Sequence, residues 1–347
     1  MVKSVEKAFD IFFENQIYLP KNINYIAKNS RKFLIDQIHL LSSQCDFVKL
    51  SSEFDLSFGS FARKTKITPL DDIDIIIGID GTSTFCFEKA WNNMVIEYVK
   101  IHKNNMLERV CDTIIKENEI KHFINSTKLK NRLVSALKKI PQYERADIHG
   151  KGETVTLKLN CYEWTFDIVL AFKCTDGDSE YYLIPNGKGG WKKTNPKIEH
   201  ERLLSLNKRF NGKVIQLIRL VKYWNKNGKM PTITSFVLET IVLDYFSKSK
   251  HSWKGKNETI DIVYMHFKWF LYYLSINIFK EIKDSKGIQG NLNYLRKYER
   301  LKIANRALED FNKAKKAIVE QIYNKNIKKS INLWREIFGK EFPQYDD

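Results

Sequence analysis

The run Asp72-Ile73-Asp74-Ile75-Ile76-Ile77 constrains the fold more than any other segment. Four of its six residues are isoleucine, whose β-branched side chains are stiff and pack best on a pleated surface. In a strand, successive side chains alternate between faces. Asp72 and Asp74 then project from one face, and Ile73, Ile75 and Ile77 from the other. The isoleucine face requires a core beneath it. The acidic face sets two carboxylates side by side, which repel each other unless a cation lies between them. A second β-rich run, Thr165–Phe172, carries Asp167 as a lone acid among apolar neighbours. A buried carboxylate without a partner costs several kcal/mol, so Asp167 is expected to have a partner, for which a metal would serve.

Elsewhere the pattern divides the chain. Residues 4–18 and 30–49 show helical periodicity. Phe54–Gly59 is short and half-apolar. Ala90–Ile120 and Lys128–Ile140 read as helices, the second stopped by Pro141. Thr154–Leu159 alternates polar and apolar residues after a Gly150/Gly152 turn, as a strand entered through a hairpin does. Residues 175–200, rich in Gly, Asn, Pro and Lys, read as loop. Beyond about residue 205 the pattern is helical. The expected class is α/β (α+β), with a mixed-sheet core over residues 1–205, N-terminal helices included, and a helical lobe over 206–347.

Composition narrows the function. Of 347 residues, 58 are Lys or Arg and 41 Asp or Glu, a net charge of +17. Residues 201–347 hold 29 basic and 15 acidic side chains, so the excess lies almost wholly in the C-terminal part. Such asymmetry points to a polyanionic ligand or partner. The five cysteines, Cys45, Cys86, Cys111, Cys161 and Cys174, lack the close spacing of a zinc ribbon. Their odd number argues against a disulfide scaffold. The best membrane candidate, Ile262–Phe279, is interrupted by His266, Lys268 and Asn277 and reads as a buried aromatic helix. A cytoplasmic protein with reduced thiols, not membrane-bound, is expected.

Upstream of the acidic strand stands Phe58-Gly59-Ser60. Glycine accepts backbone geometry closed to other residues and lets a phosphate approach the main chain. Ser60 adds a hydroxyl. A helix starting just after Ser60 would offer N–H groups and a favourable dipole to an anion, and Arg63 and Lys64 add charge. Hard oxygen ligands on one face suit Mg²⁺ that also holds substrate phosphates. Asp167 is the candidate third carboxylate of a two-metal site.

Gly59-Ser60 followed by Asp72-Ile73-Asp74, with Asp167 on a later strand, resembles the polymerase-β-like nucleotidyltransferase superfamily. More narrowly, the chain resembles the bacterial cGAS/DncV-like nucleotidyltransferases (CD-NTases) of antiphage signalling, relatives of cyclic GMP-AMP synthase and the oligoadenylate synthetases. Leu217–Asn225, Thr234–Glu239, Ile184-Pro185-Asn186 with Trp191 and Asn195-Pro196, and Trp334-Arg335 through Phe342-Pro343 are similar to later segments of that family. The likeness spans about residues 58–343.

The resemblance implies a polymerase-β-like core with an oligoadenylate-synthetase-like helical lobe. It implies two Mg²⁺ ions, with Mn²⁺ as a substitute, on Asp72, Asp74 and Asp167. Gly59, Ser60, Lys222 and Ser235 would hold the triphosphate. Ser235, near a helix start after Pro231, reads either as that helix's cap or as a phosphate contact. Glu239 reads as structural. The implied function is synthesis of a cyclic di- or trinucleotide second messenger from NTPs in bacterial CBASS-type defence, acting on an effector through the product. A linear oligonucleotide or nucleotide addition to an RNA 3′ end is the alternative. Another class, a catalytically idle nucleic-acid-binding module, has no use for three converging carboxylates. The Lys clusters at 313–316 and 325–329 read as a solvated helix face, with nucleic-acid contact on the basic lobe as the other reading. Tyr181 and Tyr182 suit either base stacking or a strand edge. The tryptophans after residue 250 read as core. Gly187-Lys188-Gly189-Gly190 lacks the Walker spacing and reads as a mobile loop.

Overall fold

The computed structural model describes residues 1–90, 93–99, 106–116, 119–177, 179–248 and 262–346. Among these, the α-helices are α1 (Val5–Phe12), α2 (Lys21–Ser43), α3 (Gly59–Ala62), α4 (Ser126–Leu137), α5 (Pro196–Arg209), α6 (Lys213–Asn227), α7 (Ser235–Lys248), α8 (Val263–Asn277), α9 (Lys297–Ile322) and α10 (Ile327–Phe338). The strands are β1 (Leu56–Ser57), β2 (Asp72–Ile79), β3 (Thr84–Ala90), β4 (Asn93–Tyr98), β5 (Cys111–Lys116), β6 (Glu119–Ile124), β7 (Asp147–Lys151), β8 (Thr154–Lys158), β9 (Thr165–Asp176), β10 (Ser179–Pro185) and β11 (Trp191–Thr194). The chain forms two compact units. One comprises Lys21–Arg63 and Leu70–Pro196; the other comprises Met1–Pro20, Lys64–Pro69 and Lys197–Asp347. The N-terminal helices thus divide, α1 going with the helical unit and α2 with the sheet.

In the sheet unit the strand order is β1-β2-β9-β10-β11-β4-β6-β5, with β3 on β4 and the β7–β8 hairpin joined to β9 through β8. Only β2 and β9 pair in parallel among the described strands; the others are antiparallel. The sheet is therefore mixed. Ile73, Ile75 and Ile77 are buried, as the alternation requires, and so are Phe166, Ile168 and Leu170 beside them on β9. Further along β2 and β9 the acidic face also turns apolar. Ile76, Val169, Ala171, Tyr182 and Ile184 form a small second core, with Leu56 and Phe58 against it. Tyr182 belongs to that core, and β10, which carries it, lies between β9 and β11 rather than at an edge.

Two segments fold differently from what their sequence suggests. Ala90–Ile120, read as a helix, contains strands β4 and β5 and the start of β6. On β4 the buried residues are Met94, Ile96 and Tyr98, a period of two, and β5 is rich in β-branched residues. The part of that span over 91–92, 100–105 and 117–118 lies outside the described residues. Residues 175–200, read as loop, hold the end of β9, then β10, β11 and the start of α5. Gly187, Gly189, Gly190 and Asn186 belong to the β10–β11 turn, and buried Tyr182, Leu183 and Ile184 make β10 a core strand. The Gly187–Gly190 segment is a pinned hairpin turn. Asn186 Oδ1 accepts from the backbone N–H groups of Lys188 and Gly190 (2.8 and 3.1 Å), and Ser126 donates to the carbonyls of Gly189 and Gly190.

The helical unit is built around aromatic residues. Phe9, Phe12, Trp224, Phe267, Trp334 and Phe338 are buried together in one core. Buried Asp310 accepts at Oδ2 from the Trp224 indole (2.8 Å) and from Arg306 (2.6 Å), which offsets its burial in part; burial still pushes its pKa up. The run Ile262–Phe279 supplies α8, with Phe267, Phe270, Leu271 and Leu274 buried. No helix among the described residues is long and apolar enough to cross a membrane. Trp334 is core, Trp269 is exposed with the Lys268 ammonium 4.3 Å from its ring centroid, and Trp253 lies outside the described residues. Lys315, Lys316, Lys325, Lys328 and Lys329 are exposed, as on a solvated face.

Gly78 anchors the far end of β2. A Cβ there would stand 2.4 Å from the Phe54 Cβ and 2.7 Å from the Ser51 carbonyl oxygen. The Gly78 N–H donates to Asp55 Oδ1 (2.9 Å), whose other oxygen meets His39 Nε2 (2.7 Å). Overpacking of this kind costs about 1–3 kcal/mol. Gly78→Ala is expected to lower the thermal unfolding midpoint in a melting scan; an unchanged midpoint would contradict the close approach of the 51–54 turn.

Candidate active site

The acidic strand is held by its neighbours. The parallel register of β2 on β9 sets Asp74 against Asp167 and Asp72 against Thr165. Register partners on adjacent strands project to the same face, with strands about 4.8 Å apart. On the other side of β9, antiparallel β8 sets Thr156 against Asp167 and Lys158 against Thr165. Two rows therefore cross the sheet, Thr156–Asp167–Asp74 and Lys158–Thr165–Asp72. The three carboxylates lie in adjoining positions on one face.

Asp167 differs from its sequence reading in one respect. It is half-buried rather than enclosed, and the partner it finds is a hydroxyl: Thr156 Oγ1 donates to Asp167 Oδ1 at 2.8 Å. Nothing in the spacing of Thr154-Val155-Thr156-Leu157 identified that partner beyond placing Thr156 on an alternating strand.

Gly59 sits directly over this patch. Its φ is +73°, and a Cβ built there would fall 1.7 Å from Asp74 Oδ2. Both the backbone conformation and the space exclude a side chain. The main chain thus meets a carboxylate at close range, so that an anion on the turn and a cation on the carboxylate would lie within reach of each other. Ser60 follows in α3, a single turn closed by the Arg63 N–H donating to the Gly59 carbonyl (3.1 Å). The helix begins at Gly59 rather than after Ser60 and is too short for a full macrodipole. What it supplies is first-turn geometry, in which the leading N–H groups are not consumed by the helix itself. The Arg31 guanidinium lies 5.7 Å from the ring centroid of Phe61 in this turn, and burial pushes its pKa down.

These residues suit Mg²⁺. The donors are all oxygens. Among the described residues no three His, Cys, Asp or Glu side chains are grouped so as to hold a metal ion by themselves. Mg²⁺ is characteristically held by one or two carboxylates together with water and substrate phosphates, not by an all-protein cage.

The other two sequence-predicted residues belong to the helical unit. Lys222, on the buried side of α6, is 6% exposed. Its ammonium lies 2.5 Å from Glu239 Oε1 and donates to the Thr65 carbonyl (3.1 Å). The Thr65 hydroxyl donates to the same Glu239 oxygen (3.0 Å). Lys222 and Glu239 thus form a buried ion pair tied to Thr65, with Glu239 structural as expected. Their separation of 17 residues carries no sequence signal. Neighbouring Arg219 sits over the Tyr18 ring, 5.0 Å from its centroid, its pKa lowered by burial. Ser235 is the first residue of α7 and is exposed. The Leu238 N–H donates to the Thr234 carbonyl (3.0 Å), so Thr234 holds the N-cap position.

No protein-family model matches the chain. A probable cyclic nucleotide synthase from Bacillus cereus (strain VD146) is 36% identical over 351 aligned residues, covering all of both chains. The cyclic AMP-AMP-AMP synthase of an Acinetobacter species (strain ATCC 27244 / 9458) is 25% identical over 181 residues, 47% of each chain. Among solved structures, CdnC of E. coli MS115-1 with ATP aligns at a TM-score of 0.68 over 97% of this chain and 98% of that one, at 16% identity. The cyclic AMP-GMP synthase DncV of Vibrio cholerae aligns at 0.63 over 96% and 95%, at 10% identity. The two structures share the fold. With 36% identity to a cyclic nucleotide synthase along its whole length, the chain belongs to the bacterial cGAS/DncV-like nucleotidyltransferases, the CD-NTases, and is an enzyme of that class.

Proposed function

We propose that this enzyme joins NTPs into a cyclic di- or trinucleotide second messenger for CBASS-type antiphage signalling, acting on an effector through that product. The observation that carries the chemistry is the register of Asp74 with Asp167, Asp72 two residues along the same face and Gly59 pressed against Asp74. The cyclic product is supported by the full-length likeness to a probable cyclic nucleotide synthase.

In this reading the Gly59–Ser60 turn receives the triphosphate through main-chain N–H groups and the Ser60 hydroxyl. Asp72, Asp74 and Asp167 would hold two Mg²⁺ ions. When bound, these supply charge neutralisation at the phosphate oxygens and at the attacking hydroxyl. Asp167 faces the acceptor ribose and takes its hydroxyl proton. The freed oxygen attacks the α-phosphate in line; the bond to the β-phosphate breaks, and pyrophosphate leaves. After one such addition, or two for a trinucleotide, the intermediate's own terminal hydroxyl attacks the α-phosphate of its remaining triphosphate; the bond to that β-phosphate breaks, a last pyrophosphate leaves and the ring closes.

The test is direct. With Mg²⁺ and all four labelled NTPs, the protein should release pyrophosphate and form a small phosphatase-resistant product whose mass is that of a ring. A ladder of linear products would overturn cyclisation and favour template-independent polymerisation. Asp74→Ala should reduce turnover by about 10³-fold or more, the scale of losing a principal electrostatic group, with unchanged circular dichroism. Retained activity would refute the assignment of Asp74.

Lys222 is proposed to contribute to triphosphate binding, as the family likeness implies. Its buried pairing adds a second consequence. Removing one partner of a buried pair leaves the other uncompensated, at a cost of about 3–5 kcal/mol. Lys222→Ala is therefore expected both to raise the KM for NTP and to lower the melting midpoint. A lowered midpoint with unchanged KM would assign Lys222 to structure alone.

A further inference from the structure

We infer that Thr156 is a positioning residue for Asp167, and that its hydroxyl sets the direction in which this carboxylate works. The inference rests on Asp167 acting as proposed above.

Three observations carry it. First, Asp167 needs orientation. It is half-buried, and its register partner on one side, Asp74, carries the same charge. The terminal torsion of an aspartate is broad, so the side chain's own preferences leave the carboxylate plane loosely defined. Secondly, Thr156 is suited to supply that orientation. It is the register partner of Asp167 on the other side and donates from Oγ1 to Oδ1 at 2.8 Å. The bond occupies one oxygen and leaves Oδ2 for the acceptor hydroxyl or a cation. The β-branched threonine is itself stiff about its first torsion, so the donor has a fixed direction.

Thirdly, the position of Thr156 is determined from outside the site. β8 is paired on both edges, with β7 and with β9. The turn joining β8 to β9 is fastened by Lys158, whose ammonium donates to the carbonyls of Tyr162 (2.8 Å) and Glu163. Burial does not compel the bond, because Thr156 and Asp167 are both only half-buried. Outer-shell hydrogen bonds to metal-ligating groups affect affinity or activity by about 10–100-fold when removed.

The experiment compares Thr156→Val, Thr156→Ser and Asp167→Asn in the full-length protein. Thr156→Val keeps the shape of the side chain and cannot donate. It is expected to lower kcat about tenfold, at the lower end of that outer-shell range, leaving the KM for NTP and the melting midpoint near those of the parent. Its apparent affinity for Mn²⁺, read from the resonance signal of free Mn²⁺ with a non-hydrolysable NTP analogue present, should weaken by a similar factor. Thr156→Ser restores the donor and should recover most of both losses. A Thr156→Val protein that matches the parent in kcat and Mn²⁺ affinity overturns the inference. So does a Thr156→Ser protein as impaired as Thr156→Val, since shape rather than the hydroxyl would then be responsible. Asp167→Asn separates the two levels: if it turns over normally, the site itself is misassigned. If it is inactive while Thr156→Val is unaffected, only the positioning role fails.

Discussion

The parallel pairing of β2 with β9 is the contact on which the site depends. It is the single parallel pair among the described strands, and it places two carboxylates from segments more than ninety residues apart in the same row. A slip of one residue would carry every side chain of a strand to the opposite face. Asp167 would then point into the core and Phe166 or Ile168 out of it. The apolar face prevents that slip. Ile73, Ile75, Ile77, Phe166, Ile168 and Leu170 are all fully or almost fully buried, so a one-residue slip would expose isoleucine and bury acid. The same hydrophobic burial that stabilises the sheet fixes the register of the acids.

The repulsion within the acidic row is then a consequence of the fold. Water contact and hydrogen bonding moderate it: the three acids are only half-buried, and Thr156 donates to Asp167. One strand pair further along, the same face closes over Ile76, Val169 and Tyr182. The transition from acid to apolar within four residues of β2 confines the charge to one end of the strand pair. Gly59 completes that end. Because no side chain fits between its backbone and Asp74, the turn and the acid cannot be separated by substitution at that position without displacing one of them.

The strand carrying Asp72 and Asp74 was legible because its two faces differ so sharply in chemistry. The β7–β8 hairpin, α4 and the helical character beyond residue 205 were legible for similar reasons: alternation, a proline stop and repeated three- and four-residue spacing. Ala90–Ile120 reads as helix because its apolar residues are dense enough to satisfy a helical spacing as well as a strand's. Only the register of Met94, Ile96 and Tyr98 on a formed sheet decides between them. β10 was hidden by averaging, since the glycines of its turn coloured a window that also contained a core strand. Thr156 and the Lys222–Glu239 pair were not legible at all. Each is a contact between residues with no fixed sequence spacing, created by strand register in one case and by helix packing in the other.

Lys222 shows how a tertiary contact adds a structural task to the binding one proposed for it. On α6 it follows an apolar stripe of Val214, Leu217, Val221 and Trp224, all buried, and it is nearly as buried as they are. An ammonium in that setting needs compensation, and Glu239 with Thr65 provides it. Thr65 lies five residues after Ser60, in the Lys64–Pro69 segment that belongs to the helical unit and connects the Gly59–Ser60 turn to β2. The ion pair therefore fixes the stretch of chain on which the proposed site's two parts are strung. Much of the basic excess beyond residue 200 is of another kind: Lys315, Lys316, Lys325, Lys328 and Lys329 are exposed, and charge in that position acts through long-range attraction and solubility rather than through packing. In the helical unit, then, buried Lys222 organises the chain, while the exposed lysines after residue 310 make no such packing contribution.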